Sequence, residues 1–321
     1  MKKKIKRIVN EILDMDIDIK EDENLAVYGL DSMGTMKLIV GLEQVFGISI
    51  NEDDLLLENF ESINKICSLV DELVVESATI EGNIIKNNEK RRKVAIVTGA
   101  NRGIGYGIAR ELYNAEYHVI ALNRTLNNED WLEEIKCDIR NANEISSAFE
   151  YINAKYQYVD ILVNNAGIRR FARVDKLKKE DWEESISTNL TAPLLLIHSS
   201  LKLLVRSKGL IVFIGSSAAE YAFEGGVAYS CTKAALHAMA ETVIRDLRYE
   251  DVRSSYISLG ATEITDCEEH DTDWKIKPED VGKVIIAIDE LPHRILPAYI
   301  DLRPAKPRRA SSIGLERLQY L

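Results

Sequence analysis

The sequence predicts an α/β chain: a doubly wound parallel sheet preceded by a small all-α bundle of four helices. Two observations carry this expectation, a change of hydrophobic rhythm near residue 92 and a concentration of acidic charge before it. Over residues 1–75, apolar residues recur three and four apart: Ile5, Ile8, Val9 and Ile12, then Met36, Ile39 and Val40, then Ile63, Ile66, Val70 and Leu73. Each set lines one face of a helix. The same stretch holds 8 Lys and Arg against 16 Asp and Glu, so most of the net charge of −11 falls in the first quarter of the chain. Residues 76–92, ESATIEGNIIKNNEKRR, are polar and Asn-rich and read as a linker. From residue 93 short β-branched runs (KVAIVTG, YHVIAL, EIKCDI, DILVNN, GLIVFIGS, VRSSYISLG, AYIDLR) alternate with helical stretches, among them a long helix from about Lys178 and another from Ala228. Strand and helix in alternation build a parallel sheet covered on both faces. Only about ten residues separate YHVIAL from EIKCDI, near the lower limit for a parallel crossover, so a stub of helix is expected there.

At 321 residues the chain can bury two cores. Its 46% hydrophobic and 29% charged residues are those of a soluble globular protein. The apolar runs stop short of a bilayer span, and MKKKIKR is followed by Glu11, Asp14, Asp16 and Asp18 rather than by an export signal. Cys67, Cys137, Cys231 and Cys267 lack paired spacing, which fits a reducing, cytoplasmic setting without a metal site. The acidic balance argues against nucleic acid as a partner, because neutralising phosphates takes clustered Lys and Arg.

In VYGLDSMGTMKLIVGLEQVFGISI, Ser32 stands at the threshold of an amphipathic helix. Asp31 or Ser32 could simply cap that helix. The GLDSM box, the helix after it and ENFESINKI resemble acyl or peptidyl carrier domains over residues 1–75. The resemblance implies that Ser32 carries 4'-phosphopantetheine, whose phosphate a helix N-terminus tolerates. It also implies a phosphopantetheinyl transferase and an acyl-loading enzyme as partners.

After the strand VAIV come Thr98, Gly99, Ala100, Asn101, Arg102, Gly103, Ile104 and Gly105, and then a helix. Between strand and helix such a stretch cradles a pyrophosphate, with Gly99 for the turn, Gly103 for close backbone approach and Gly105 for packing. Its TGxxxGxG spacing resembles the short-chain dehydrogenase/reductase family, and so do Asp138 with Ile139, and Asn164 followed by Asn165, Ala166 and Gly167. The likeness covers residues 93 to about 265 and implies a Rossmann fold with a nicotinamide cofactor. Where a carboxylate would select NAD, this chain has Asn123, with Arg124 beside it and Arg102 in the glycine loop, a set that favours NADP(H).

Tyr229 and Lys233 are four apart and share a helical face. With Ser216 and Asn189 they match the family's catalytic tetrad in order and spacing. That resemblance implies Tyr229 as the acid that protonates a ketone oxygen, Ser216 as a second donor to that oxygen, Lys233 on the nicotinamide ribose and lowering the tyrosine pKa, and Asn189 holding a relay water. A free phenol of pKa about 10 is already protonated at pH 7, the form that reduction needs.

The pattern fails after the sixth strand, where Leu259-Gly260 replaces Pro-Gly and Thr262 or Thr265 falls off by a position. The stretch from Thr265 to Pro278 is short for a substrate lid. The unusual ending ILPAYIDLRPAKPRR leaves open whether a homo-oligomer forms. A linker of this length spans roughly 20 to 25 Å if flexible, enough for the carrier to present an acyl or aminoacyl thioester to the reductase, domain 93–321. Arg169, Arg170, Arg173, Lys176, Lys178 and Lys179 offer a basic face on which an acidic carrier helix could dock. Reduction of a free small-molecule ketone, with the carrier serving another enzyme, is the alternative.

Overall fold

The computed structural model describes residues 1–15, 19–48, 50, 56–74, 91–263 and 272–306. These divide into two compact units, Met1–Arg91 and Arg92–Leu321. Apart from Arg91 and Arg92, the expected linker lies outside the described residues, as do Thr265 and Cys267.

In the first unit, helices α1 (Lys2–Leu13), α2 (Ser32–Phe46) and α3 (63–74) are joined by segments that include single 3-10 turns at Leu25–Tyr28 and Leu57–Phe60. Ile5 and Val9 of α1, Leu38 and Leu42 of α2, and Ile63, Ile66 and Val70 of α3 meet in one core, all fully buried. The spacing of three and four therefore does what the sequence implies. Each such side chain contributes about 1.5–3 kcal/mol on burial. Helix α2 stops at Gly47, whose φ of 65° places it in the left-handed region and whose N–H closes onto Glu43 O.

The second unit contains β1 (Val94–Thr98), α4 (Gly103–Asn114), β2 (His118–Asn123), β3 (Glu133–Lys136), α5 (Ala142–Tyr156), β4 (Ile161–Asn164), α6 (Lys179–Ile186), α7 (Ala192–Ser207), β5 (Leu210–Ile214), α8 (Val227–Leu247), β6 (Arg253–Leu259), α9 (Pro278–Glu290) and β7 (Tyr299–Leu302). The seven strands lie in the order β3-β2-β1-β4-β5-β6-β7, and every pairing is parallel. Alternation along β1 sends Val94 and Ile96 into a core with α5, α7 and α8, and sends Ala95 and Val97 into a second core with α4 and α9. The order in which strands join the sheet reverses between β1 and β4, and a crevice opens at the carboxyl ends of the strands at such a switch point.

Three expectations need correction. The stub between β2 and β3 is absent: residues 124–132 cross without a helix, and the Glu134 carboxylate gathers the loop by accepting the N–H groups of Asn127 at 3.0 Å and Asn128 at 2.6 Å. The long helix is not uniform, because a five-residue π-helical turn, Ser187–Thr191, joins α6 to α7. The resulting run Lys179–Ser207 is also long and apolar enough to cross a bilayer, contrary to the reading of short apolar runs. Half of its most apolar 18-residue stretch is buried, and Leu196, Leu203 and Leu204 pack against the sheet, which accounts for its apolarity as a core helix.

Candidate functional site

In the first unit the two readings of the Asp31-Ser32 pair separate. Asp31 is the N-cap, its Oδ1 accepting the Gly34 N–H at 2.7 Å, and Ser32 is the first residue of α2 and exposed. The carboxylate does the capping, and the serine hydroxyl takes no part in it. The exposed side of α2 is apolar: Met33, Met36 and Val40 stand 69%, 59% and 48% exposed. Lys37 and Glu43 are the only charged residues of that helix, so the expected acidic docking helix is corrected.

In the second unit the glycine loop sits between β1 and α4. Gly99 and Gly103 have φ of 65° and 56°, conformations that a side chain would strain. A Cβ on Gly105 would stand 2.2 Å from the Gly99 carbonyl oxygen and 2.4 Å from Asn165 Nδ2. Asn165 locks the loop, donating from Nδ2 to Thr98 O at 2.8 Å, while Thr98 Oγ1 accepts the N–H groups of Asn165 and Ala166, each at 3.0 Å. Asn101 O takes the Asn127 amide at 2.6 Å, and Ile104 packs on the second core. Helix α4 starts without a side-chain cap, which leaves its first N–H groups for an anion.

Asn123 is not on the crevice wall. It is 1% exposed, with Oδ1 accepting Ala100 N–H at 2.8 Å and Nδ2 donating to Glu134 Oε1 at 2.9 Å. The strand end is therefore not free of acid, but Glu134 is engaged inward by Asn123 and the 127–128 backbone. Burial pushes the Glu134 carboxyl up, and these hydrogen bonds outweigh it, leaving a net depression. Arg102 and Arg124 are exposed. Asp138 is paired with Arg140 at 2.6 Å, and that contact chiefly holds its carboxyl down at about 2; Ile139 beside it is buried.

Ser216 follows β5 and caps a 3-10 turn, its Oγ accepting Ala218 N–H at 3.2 Å. Tyr229 is half-buried in the first turn of α8 with the Ser216 hydroxyl beside it. Lys233, one turn on, is 5% exposed; its Nζ donates to Ile214 O at 2.7 Å and lies 5.9 Å from the centre of the Tyr229 ring. A Cβ on Gly167 would be 3.8 Å from that Nζ, which places the end of the Asn165–Gly167 segment against the same cluster. Ser216, Tyr229 and Lys233 thus meet beside the Asn165–Gly167 segment after β4.

Their electrostatics differ from expectation. Burial pushes the Tyr229 phenol up, and the opposing pulls come from Ser216 and Arg169 rather than from Lys233. Burial also lowers the Lys233 ammonium to about 8, which weakens it as a fixed positive charge. Asn189 lies in the π-helical turn, 1% exposed. Its Oδ1 accepts Ile168 N–H at 2.8 Å, and its Nδ2 donates to Ile168 O at 3.0 Å and Thr232 Oγ1 at 3.1 Å. Both amide hydrogens are engaged, so the side chain shapes the 165–168 segment and keeps one lone pair at most for a water. Thr262 hydroxyl turns to Gly260 O at 3.1 Å.

Sequence reasoning missed Thr232, which shares the face of Tyr229 at i+3, and the pair Phe171 and Phe223. Phe171 meets Tyr229 edge-on at 5.7 Å and Phe223 at 5.4 Å. Phe223, six residues before Tyr229, was the available signal. The basic face is largely self-neutralised: Arg170 pairs with Glu184 at 2.7 Å, Arg173 with Asp175 at 3.2 Å, Lys176 with Asp175 at 3.9 Å and Lys179 with Glu183 at 3.4 Å. Such exposed pairs contribute little, and they offer little net charge for docking.

Residues 93–276 match the family model described as short chain dehydrogenase, and residues 3–70 match that described as phosphopantetheine attachment site. The second unit is similar to a 3-oxoacyl-[acyl-carrier-protein] reductase of Buchnera aphidicola, 32% identical over 181 residues that make up 53% of this chain and 73% of that protein. It is also similar to 2,3-dihydro-2,3-dihydroxybenzoate dehydrogenase of Escherichia coli, 32% identical over 170 residues, 52% of this chain and 68% of that one. Among solved structures, the closed form of serine dehydrogenase complexed with NADP+ aligns with a TM-score of 0.61 at 26% identity, covering 68% of this chain and 97% of that one. With a matched region of more than half its length, the chain belongs to the short-chain dehydrogenase family and carries a phosphopantetheine attachment domain ahead of it.

Proposed function

We propose that the chain is an NADP(H)-dependent ketoreductase whose substrate is a 3-oxoacyl or related acyl group held as a thioester on phosphopantetheine at Ser32. The observation that carries this reading is the convergence of Ser216, Tyr229 and Lys233 beside an uncapped, glycine-built helix start, in a chain that also bears a carrier domain. The residues present fit a dinucleotide, because the strained glycines and the room kept by Gly105 leave backbone N–H groups open to a pyrophosphate. Thr98 through Gly105 would hold that pyrophosphate, Arg102 and Arg124 a ribose 2'-phosphate, Asp138 and Ile139 the adenine, and Lys233 the nicotinamide ribose. A bound reduced nicotinamide supplies the hydride.

Tyr229 donates its phenolic proton to the carbonyl oxygen, and the upward push of burial keeps that proton on the phenol at neutral pH. Ser216 donates to the same oxygen and so stabilises the charge that develops there. Asn189, through Ile168 and Thr232, keeps the floor of the cluster in place. A phosphopantetheinyl transferase and an acyl-loading enzyme complete the system.

The test is to load Ser32 with a 3-oxobutyryl-phosphopantetheine group, add NADPH and follow the acyl group by mass spectrometry. Faster reduction on the arm than of the same group on free pantetheine at equal concentration supports the reading, and equal rates contradict the tether. Similarity to the dihydrodiol dehydrogenase favours a second reading, oxidoreduction of a free small molecule, which the same comparison distinguishes.

A further inference from the structure

Strand β6 carries a tyrosine beneath the candidate site. Tyr256 is 1% exposed and stacks on His237 with ring centres 4.5 Å apart and on Tyr299 at 5.9 Å. Its place depends on Gly215, where a Cβ would stand 2.1 Å from Tyr256 Cζ and 2.3 Å from its hydroxyl oxygen. That oxygen accepts the backbone N–H of Ser216 at 3.4 Å and donates to the backbone carbonyl of Lys233 at 3.4 Å. Meanwhile Lys233 Nζ reaches back to Ile214 O at 2.7 Å, and Gly215 N–H goes to Ile257 O at 2.8 Å. The end of β5 is thereby held from both sides, and the phenol, pushed up by burial, stays a donor.

We propose that Tyr256 is a positioning residue whose hydroxyl sets Ser216 and Lys233 at their working separation by joining the strand end that carries one to the helical turn that carries the other. The proposal rests on the ketoreductase reading, and Tyr256 itself touches neither substrate nor cofactor. Both hydrogen bonds are long and each is modest on its own. Their value lies in acting on two catalytic residues at once, since small misplacement of reacting groups is costly in rate.

The test replaces Tyr256 in the full chain with phenylalanine, which keeps the ring and removes the hydroxyl. Expected are a roughly fivefold fall in kcat, an unfolding midpoint near that of the parent chain, and faster hydrogen exchange at the Ser216 amide. Gly215→Ala reaches the same end by another route, displacing the ring and also lowering kcat. Unchanged kcat in Y256F overturns the proposal, and so does a lowered kcat with Ser216 exchange unmoved. If the parent chain reduces no ketone, the ketoreductase reading fails on its own, while Ser216 exchange still decides whether Tyr256 holds that strand end.

Discussion

The two helix starts to which the proposed function gives phosphate chemistry are built in opposite ways. At α2 a carboxylate occupies the cap, Asp31 to Gly34 N–H at 2.7 Å, and the next residue presents a hydroxyl. At α4 there is no side-chain cap, and glycines at 99, 103 and 105 clear the approach. A phosphate to be attached covalently needs a positioned nucleophile on a helix that is already satisfied. One to be bound reversibly needs the orphan N–H groups themselves. The difference teaches that a helix N-terminus is kept open to an anion through what is left out of it.

The comparison breaks most visibly at the chemistry that only the second unit performs. Tyr229→Phe is expected to lower ketone reduction by roughly a hundred- to ten-thousandfold while NADPH affinity and modification of Ser32 stay as they were; stopped-flow absorbance, a binding titration and intact mass check the three. Next in size is Gly105→Ala, whose new Cβ meets the Gly99 carbonyl oxygen at 2.2 Å. Overpacking of that kind corresponds to a loss of roughly five- to a hundredfold in NADPH affinity, read by fluorescence titration, with α2 untouched.

The pH response sharpens the contrast further. Lys233 carries its charge below about 8 and loses it as pH rises through that value, whereas Tyr229 is pushed the other way and keeps its proton. Reduction should therefore be level at neutral pH and fall above about 8, by about tenfold per pH unit if the ammonium is required. A pH series of single-turnover rates checks this. The smallest effect lies at the satisfied helix: Asp31→Ala should cost the carrier unit about 1 kcal/mol, measured by denaturant unfolding, with free-ketone reduction unaltered.

Much of this was legible in the sequence because local pattern and global fold agree. The strand runs take their places in the sheet, the glycine loop joins β1 to α4, and Tyr229 and Lys233 fall in α8 as the spacing implies. What escaped was set by side chains meeting across the fold. No spacing rule reveals that Asn189 sits in a π-helical turn with its amide committed to Ile168 and Thr232. Nor does one show that Asn123 faces inward to Ala100 and Glu134, or that burial separates the titrations of Tyr229 and Lys233. The charge of the basic run at 169–179 is offset for a related reason, since its carboxylate partners include Glu184 on α6 and Glu224 from the segment after β5.

The central claim is that one chain presents a carbonyl on its own arm to its own acid and a nicotinamide. The direct measurement is a single turnover of the full chain, loaded at Ser32 with a 3-oxoacyl group, with NADPH deuterated at the transferable position. The account predicts that the arm-bound acyl group gains one deuterium and one solvent proton, and that Tyr229→Phe stops the gain. An acyl group that leaves the reaction with its ketone intact, while NADPH is bound, would contradict it.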